Sequence, residues 1–465
     1  MSTTDAADSQ LFTRAYTRGV TEEQPEPARS RRRLVTGAAP VDAFALRGAV
    51  ITDDAVLPDG YVVVEGETIS EVGTTKPTGL RILETGGVIL PGLIDLHGHP
   101  EFNVFAAWEP PRQYANRYRW RSSVPYHALI RDPQNVLLTK VPTGTQLRYA
   151  EIRALVGGVT AIQGASRSPD SEPLVRNVDL RIFGQHRARS MIDLPSSEKA
   201  RDYPRLQSIL ADIKDGAVDA FYLHLCEGQA GDQRSQSEFD RFLAMKAATP
   251  ATVVIHGSAL SADQLAQLAG LGCKLVWSPQ SNLRLYGQTT LAGAALAAGM
   301  PVALGADWLP SGSTSLLAEL KVARRELERQ GHPLQSAELV RMVTSGAAAI
   351  AGLDQFIGTL RVGAAADILV LQRHHDDPYE NVCLADPDWV ELVMIGGDVA
   401  YGRQDWFDQL TGGAAGPSID LITAWGKSMK LDAGFHAPAG QAPSSLANLR
   451  AQLTTAYPPV GPIFA

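Results

Sequence analysis

The alternation of apolar and polar positions divides the chain into regions of different texture. Residues 1–43 are polar and include "EEQPEPARSRRR". So little apolar surface cannot offset the entropy of ordering, and an extended arm is expected. From Phe44, "FALRGAVI", "GYVVVEGETISEVG" and "LRILETGGVIL" are short β-rich runs separated by Gly, Asp and Pro. They predict the strands of a small all-β unit over 44–87. From Val88 the runs become near-continuously apolar: "VILPGLIDLHGH" (88–99), "GGVTAIQG" (157–164), "DLRIFG" (179–184), "SMIDL" (190–194), "DAFYLHL" (219–225), "ATVVIHG" (251–257), "CKLVWS" (273–278) and "PVALGAD" (301–307). Helix-period stretches such as "SQSEFDRFLAMKAA", "SADQLAQLAGL" and "TLAGAALAAG" lie between several of them.

Strands that are apolar along their length need cover on both faces, so this alternation predicts a parallel sheet clothed by helices. Eight such units predict an α/β chain built on a (β/α)8 barrel over 88–355. Helices are expected at 314–330 and 336–351. Strand texture returns within 356–404, in "GTLRVGAAADILVLQ" and "WVELVMIGGDVAYG". The simplest assembly joins both β-rich ends into one small sheet domain beside the barrel. Residues 405–465, with "TGGAAGPS" and "AYPPVGPIFA", read as a surface-wrapping tail.

Composition narrows the class. Of 465 residues, 45% are hydrophobic and 20% charged, which suits a large core. A formal net charge of −8 argues against nucleic-acid and membrane partners and leaves a small-molecule substrate as the expected one. Cys226, Cys273 and Cys383 are widely spaced and form no CxxC pair, so a reducing, cytoplasmic setting is expected. The polar start "MSTTDAADSQ" lacks a secretory pattern, and no apolar run is long enough for a membrane-spanning helix.

In such barrels chemistry sits at the C-terminal ends of the strands. The first run ends in His97 and His99. Residues two apart on a strand share a face, and Gly98 puts no side chain on the other, so the pair makes half of a metal site. The fifth run ends in "YLHLCEG", with His224 and Glu227; the sixth in "VVIHG", with His256; the eighth in "ALGADW", with Asp307. Singly, each has a plain structural use as a buried hydrogen-bonded histidine, a helix-start carboxylate or an N-cap. Four of the chain's ten histidines at strand ends, however, is more than scatter gives. Three imidazoles and a carboxylate suit Zn²⁺ or Fe²⁺ and leave room for a water whose pKa the ion lowers. A nearby glutamate can then shuttle protons.

With these motifs, the chain resembles the amidohydrolase superfamily, in the subgroup of cytosine/guanine-deaminase-like and triazine-hydrolase-like enzymes. "PGLIDLHGH", "GGVTAIQG", "HLCE", "VIHG", "SPQSNLRL", "LGAD" and "GTLRVGAAADILVL" occur in family order between residues 44 and 402. The resemblance implies a TIM barrel with a composite β-sandwich built from N- and C-terminal segments. It implies His97, His99, His224 and Asp307 as metal ligands, Glu227 as proton shuttle, and His256 as the residue that positions or polarises the water or the substrate. Asp307 is also a candidate acceptor of the water's proton. Binuclear relatives carry a carboxylated lysine at the end of the fourth strand. Here "SMIDLPSSEK" brings its first lysine, Lys199, too far along, so one divalent ion is expected, Zn²⁺ ahead of Fe²⁺.

Two features depart from the relatives. Asp307 is followed by bulky Trp308, and the stretch 100–147 is rich in Trp, Tyr and Arg. That stretch is expected to line the barrel mouth, where loops set specificity. Its Arg112, Arg117, Arg119 and Arg121 would suit a substrate carboxylate or phosphate, or equally an interface in a homo-oligomer, which is expected. The candidate substrate contacts are Trp108, Arg117, Arg119, Trp120, Trp308 and Asn282 of "SPQSN", for which shaping its loop is the stronger reading. The expected function is metal-dependent hydrolysis, with activated hydroxide attacking an sp² carbon and breaking a C–N bond. Deamination of a heterocyclic amine and amide hydrolysis both fit. Alternatives are ring-opening hydrolysis of the imidazolonepropionase kind, dehalogenation, and a non-catalytic barrel scaffold, against which the complete ligand set argues.

Overall fold

The computed structural model of the chain describes residues 43–142, 144–164, 174–180, 182–183, 187–416, 418–433 and 445–464. The predicted arm lies outside them except for its last residue. The described chain begins with β1 (Phe44–Ile51), β2 (Val56–Glu65), β3 (Thr68–Gly73) and β4 (Arg81–Pro91). β1 pairs antiparallel with β2 and parallel with β4. Their inward Leu46, Val62, Val64, Ile69 and Ile89 share one apolar core. The chain leaves this sheet at Gly92. A Cβ there would lie 2.2 Å from the Thr160 side chain, so glycine allows the close passage into the next layer.

Eight short strands follow: β5 (Leu93–Asp95), β6 (Val159–Ile162), β7 (Arg176–Asn177), β8 (Ala188–Met191), β9 (Ala220–Leu225), β10 (Thr252–His256), β11 (Lys274–Trp277) and β12 (Val302–Leu304). They form two parallel arcs in sequence order, β5-β6-β7 and β8 through β12. The arcs meet where Leu96 N donates to Leu304 O at 3.4 Å and Asp307 N donates to His97 O at 2.8 Å. On the opposite side they meet through side chains: Ser190 Oγ donates to Asp179 at 2.8 Å, and Gln163 Nε2 reaches Ser190 Oγ at 3.2 Å. The order is therefore cyclic. Alternate residues enter different cores. Val254 and Leu275 pack with helix residues such as Leu265 and Leu268, while Val253, Ile255 and Val276 join a second cluster. Period two and two apolar environments explain why these strands read as continuous apolar runs.

Two expectations need correction here. The third strand is residues 176–177, and of the expected 179–184 the described residues, 179, 180, 182 and 183, lie in turn and loop. Asp179 is already in the turn, where its carboxylate accepts from Gly164 N at 2.7 Å as well as from Ser190. The helix expected at 336–351 is two, Ser336–Arg341 and Ser345–Ala351.

The chain then returns to the first sheet with β13 (Ile368–Leu371), β14 (Val390–Ile395), β15 (Asp398–Arg403), β16 (Ile419–Ala424) and β17 (Lys427–Asp432). β13 pairs antiparallel with β4, so both ends of the chain build one nine-stranded sheet among the described residues. This sheet reaches further than 404. The β16–β17 hairpin, expected in the tail, extends its edge across a turn in which Trp425 (φ 47°) and Gly426 (φ 79°) are both left-handed. Asp367 ties sheet to barrel: it receives Arg176 at 2.7 Å, and its carbonyl accepts from Gly92 N at 2.9 Å.

The described residues after 445 pack against earlier segments. Tyr149 Oη and Arg153 Nη2 donate to the Gly461 carbonyl at 2.8 and 3.0 Å. Leu453 and Val460 join Phe102, Phe105, Trp108 and Trp120 in one cluster, so the C-terminus braces the 100–147 stretch. No described helix is long and apolar enough to cross a membrane.

Candidate active site

The ends of β9 and β10 and the residues just past β5, β9 and β12 converge on one place. The backbone there is under strain: Cys226, His256 and Asp307 have φ of 51°, 67° and 60°. Side chains other than glycine rarely adopt this region, and such strain concentrates at functional positions. Close approach is built in at Gly305, where a Cβ would stand 2.4 Å from that of His97.

The side chains converge. His97 Nε2 is 3.1 Å from His224 Nε2 and 3.5 Å from Asp307 Oδ1, and His99 Nε2 is 3.7 Å from the same oxygen. All are buried. Burial, then the facing imidazoles, pushes His97 well below the usual histidine range and does the same to His224. His99 falls to about 3, through burial and then the charges of His256 and Arg121. These rings are neutral and present lone pairs. Burial also lifts Asp307 to about 6, against the opposing effects of His256 and Ser281.

Outer contacts fix these groups. Ser278 Oγ holds His97 Nδ1 at 2.7 Å. Ser281 Oγ donates to Asp307 Oδ2 at 2.6 Å and Trp308 N donates to Oδ1 at 2.8 Å. Donors bonded at about 2.1 Å in a tetrahedron stand about 3.4 Å apart. Three of the six pairs among these donors, at 3.1–3.7 Å, come near that. The ligand atoms form two groups that share His97, each within 4.8 Å: His97, His99 and Asp307, and His97, His224 and His256. Either group could hold a divalent ion.

Above this floor lies a cap from the 100–147 stretch. Asn116 caps the short helix Arg117–Arg121, whose Arg117 and Arg121, four apart, point inward. Arg117 is buried and meets Glu238 and Asp193 at 3.2 Å each and Glu227 at 3.7 Å. Arg121 meets Asp193 at 3.4 Å. Tyr286 Oη donates to Glu227 Oε1 and itself accepts from Trp120 Nε1 at 2.8 Å. Glu227 Oε2 also lies 3.7 Å from His256 Nε2. Trp120 and Trp308 rings stand 5.3 Å apart at 37°. Floor and cap enclose a cavity of ≈ 30 Å³ lined by His99, His224, Glu227, His256, Arg117 and Trp308 among others. That is space for about two waters and none for a heterocycle.

The structure thus brings together His97, His99, His224, Glu227, His256, Asp307, Arg117, Trp120 and Trp308. It does not bring Arg119, Trp108 or Asn282 to the cavity. Arg119 faces solvent, because it lies on the helix face opposite Arg117 and Arg121. Trp108 is buried against Tyr114. Asn282 stands behind His256, with its Oδ1 2.9 Å from His256 Nδ1. Nor are the inward arginines free to greet an anion, since Asp193 and Glu238 already pair with them. Lys199 is exposed beyond β8. The sequence reading overlooked Tyr286, Ser281, Asp193 and Glu238. Only Tyr286 left a trace, as an aromatic closing the "SPQSNLRLY" helix.

Comparison with known proteins agrees with this geometry. The amidohydrolase family profile matches residues 207–400, which include His224, Glu227, His256 and Asp307. Curated relatives include a 5-methylthioadenosine/S-adenosylhomocysteine deaminase of Teredinibacter turnerae, 24% identical over 343 residues, covering 64% of this chain and 74% of that one. One of Bacillus cereus is 28% identical over 380 residues, covering 70% and 84%. Among solved structures, guanine deaminase from E. coli superposes with a TM-score of 0.61 at 17% identity, covering 77% of this chain and all (100%) of that one. A zinc-bound adenosine deaminase of Xanthomonas campestris gives 0.59 at 18% identity, covering 77% and 93%. These superpositions show the shared α/β-barrel fold. The family match over 207–400, the curated relatives and the shared fold are together consistent with the amidohydrolase superfamily.

Proposed function

We propose that the chain is a metal-dependent hydrolase that releases ammonia from a small heterocyclic amine. The observation that carries this is the convergence of three neutral imidazoles and one buried carboxylate with Glu227 beside them, at the C-terminal ends of barrel strands. The deaminases among its relatives support the reaction class. A divalent ion held by His97, His99, His224 and Asp307, zinc first, would acidify a water and polarise the carbon it attacks.

The chain's own residues then move protons. Glu227, held at Oε1 by Tyr286 and faced at Oε2 by Arg117 and His256, is placed to take a proton from water and pass it to a ring nitrogen. It then takes the remaining proton of the added hydroxyl and passes it to the amine, so that the C–N bond breaks, ammonia leaves and the carbon gains a carbonyl. Asp307 keeps Oδ1 toward His97 and His99, and its Oδ2 is pinned by Ser281. Trp120 and Trp308 offer flat apolar walls suited to a planar ring. Because Arg117 and Arg121 are already paired with carboxylates, an uncharged ring fits the cavity better than an anion. Such a ring enters only when the cap moves away from the floor.

The test is metal analysis of the purified full-length protein, with ammonia release assayed on a panel of aminopurines, aminopyrimidines, aminopterins and aminotriazines. The proposal expects close to one divalent ion per chain and release from at least one ring class. Metal-replete protein inert on the whole panel would contradict it.

A further inference from the structure

His256 ends β10 with its ring in the cavity floor. Whether its Nε2 carries a proton there decides whether it can donate or only accept. The nearby carboxylates do not settle this: Nε2 is 3.7 Å from Glu227 Oε2 and 3.9 Å from Asp307 Oδ2, beyond hydrogen-bonding range. The other ring nitrogen does. His256 Nδ1 lies 2.9 Å from the side-chain amide of Asn282.

Which end of an amide faces a neighbour must be deduced from the network around it. Here the network leaves one choice. Thr290 Oγ1 stands 2.6 Å from the backbone carbonyl of His256, and a carbonyl only accepts, so the Thr290 proton is committed to it. The Thr290 oxygen is left to accept, and Asn282 Nδ2 donates to it at 3.2 Å. The same Nδ2 reaches Thr289 Oγ1 at 3.3 Å, which already accepts the indole N–H of Trp277 at 2.7 Å. Turning the amide over would set its oxygen against the lone pairs of Thr290. The oxygen of Asn282 therefore faces His256. It can only accept, so Nδ1 carries a proton, and in the uncharged form of the ring Nε2 does not. Asn282, Thr290 and Trp277 are each 0% exposed, so bulk water does not compete for these bonds.

We propose that Asn282 is a positioning residue that holds His256 in its Nδ1–H tautomer, so that His256 offers the cavity a lone pair and not a proton. Its partner there is either a hydrogen donor, the O–H of the attacking water or the N–H of an amino group, or a metal ion shared with His97 and His224. A substrate carbonyl finds no donor in His256. This second step rests on the hydrolytic reading above. It deepens that reading, because a lone pair at this point suits an amine substrate and repels the oxo product, whereas amide hydrolysis would want a donor.

The experiment is long-range ¹H–¹⁵N correlation on zinc-loaded, full-length protein labelled in histidine, with His256 assigned by the signals lost in His256→Gln. The expected spectrum places Nδ1 at the shift of a protonated ring nitrogen and Nε2 at that of an unprotonated one. A proton on Nε2 in the unaltered protein overturns the proposal, whatever the substrate is. Asn282→Asp keeps an acceptor and should preserve the tautomer. Asn282→Leu removes it, and an Nε2–H population should appear; an unchanged Nδ1–H signal in that variant would overturn the role of Asn282. Should the leucine variant fail to fold, the spectra of the unaltered and aspartate proteins still decide. Expected spectra without ammonia release on any ring would leave the tautomer standing and overturn its catalytic use.

Discussion

The cavity's floor and its cap are built in different ways. Floor residues end barrel strands, so the backbone itself aims His97, His99, His224, His256 and Asp307, and Ser278, Ser281 and Asn282 lock them from behind. The cap is a five-residue helix, Arg117–Arg121, held by ion pairs to Asp193, Glu227 and Glu238 and by aromatic contacts around Trp120. Burial keeps the imidazoles of His97, His99 and His224 uncharged. The cap's charges are already balanced. One side is thus set up for chemistry and the other for deciding what reaches it. The cavity between them measures ≈ 30 Å³.

Substitutions should separate the two, and the largest effect belongs to the floor. His224→Asn should lower metal affinity by more than the roughly 10- to 100-fold that outer partners cost, with activity lost in step, as metal titration would show. Next comes the cap's main tie. Arg117→Ala leaves buried Glu238 uncompensated, and thermal or denaturant unfolding should show a loss of about 3–5 kcal/mol. Full stability in that variant would mean the ion pairs do not hold the cap. Glu227→Gln should keep its metal and its fold while kcat drops at least about a hundredfold. Tyr286→Phe removes only the donor to Glu227, so kcat should fall about tenfold with KM little changed, the size of one hydrogen bond to a charged group. An equal rise in KM would place Tyr286 on the substrate instead. Arg119→Ala should change stability by no more than about 0.5 kcal/mol and leave kinetics alone, since the side chain faces solvent.

The same division governs what could be read from the sequence. The floor was legible because histidines that follow apolar runs fall at or just past strand ends, although His97 and His99 lie beyond β5 and not on it, so strand alternation does not set their directions. The cap was legible only as composition. Four arginines in "RQYANRYRWR" announced a charged patch, but which of them turn inward depends on a short helix with no apolar periodicity of its own. Their partners, Asp193 and Glu238, come from distant segments. Short strands also mislead. "DLRIFG" has the right residues, yet Asp179 is needed as an acceptor for Gly164 and Ser190, and the strand ends before it. The β16–β17 hairpin did carry a signal, an alternating "IDLITA" run followed by Trp425-Gly426, but it was hidden beside the Gly- and Pro-rich segments of the tail.

The most direct test of the central claim is a crystal structure of zinc-reconstituted protein with anomalous scattering recorded at the zinc edge. The account predicts one zinc per chain, at about 2.0–2.2 Å from donor atoms of His97, His99, His224 and Asp307. Two ions bridged by a modified lysine, or a zinc bound away from these four side chains, would contradict it.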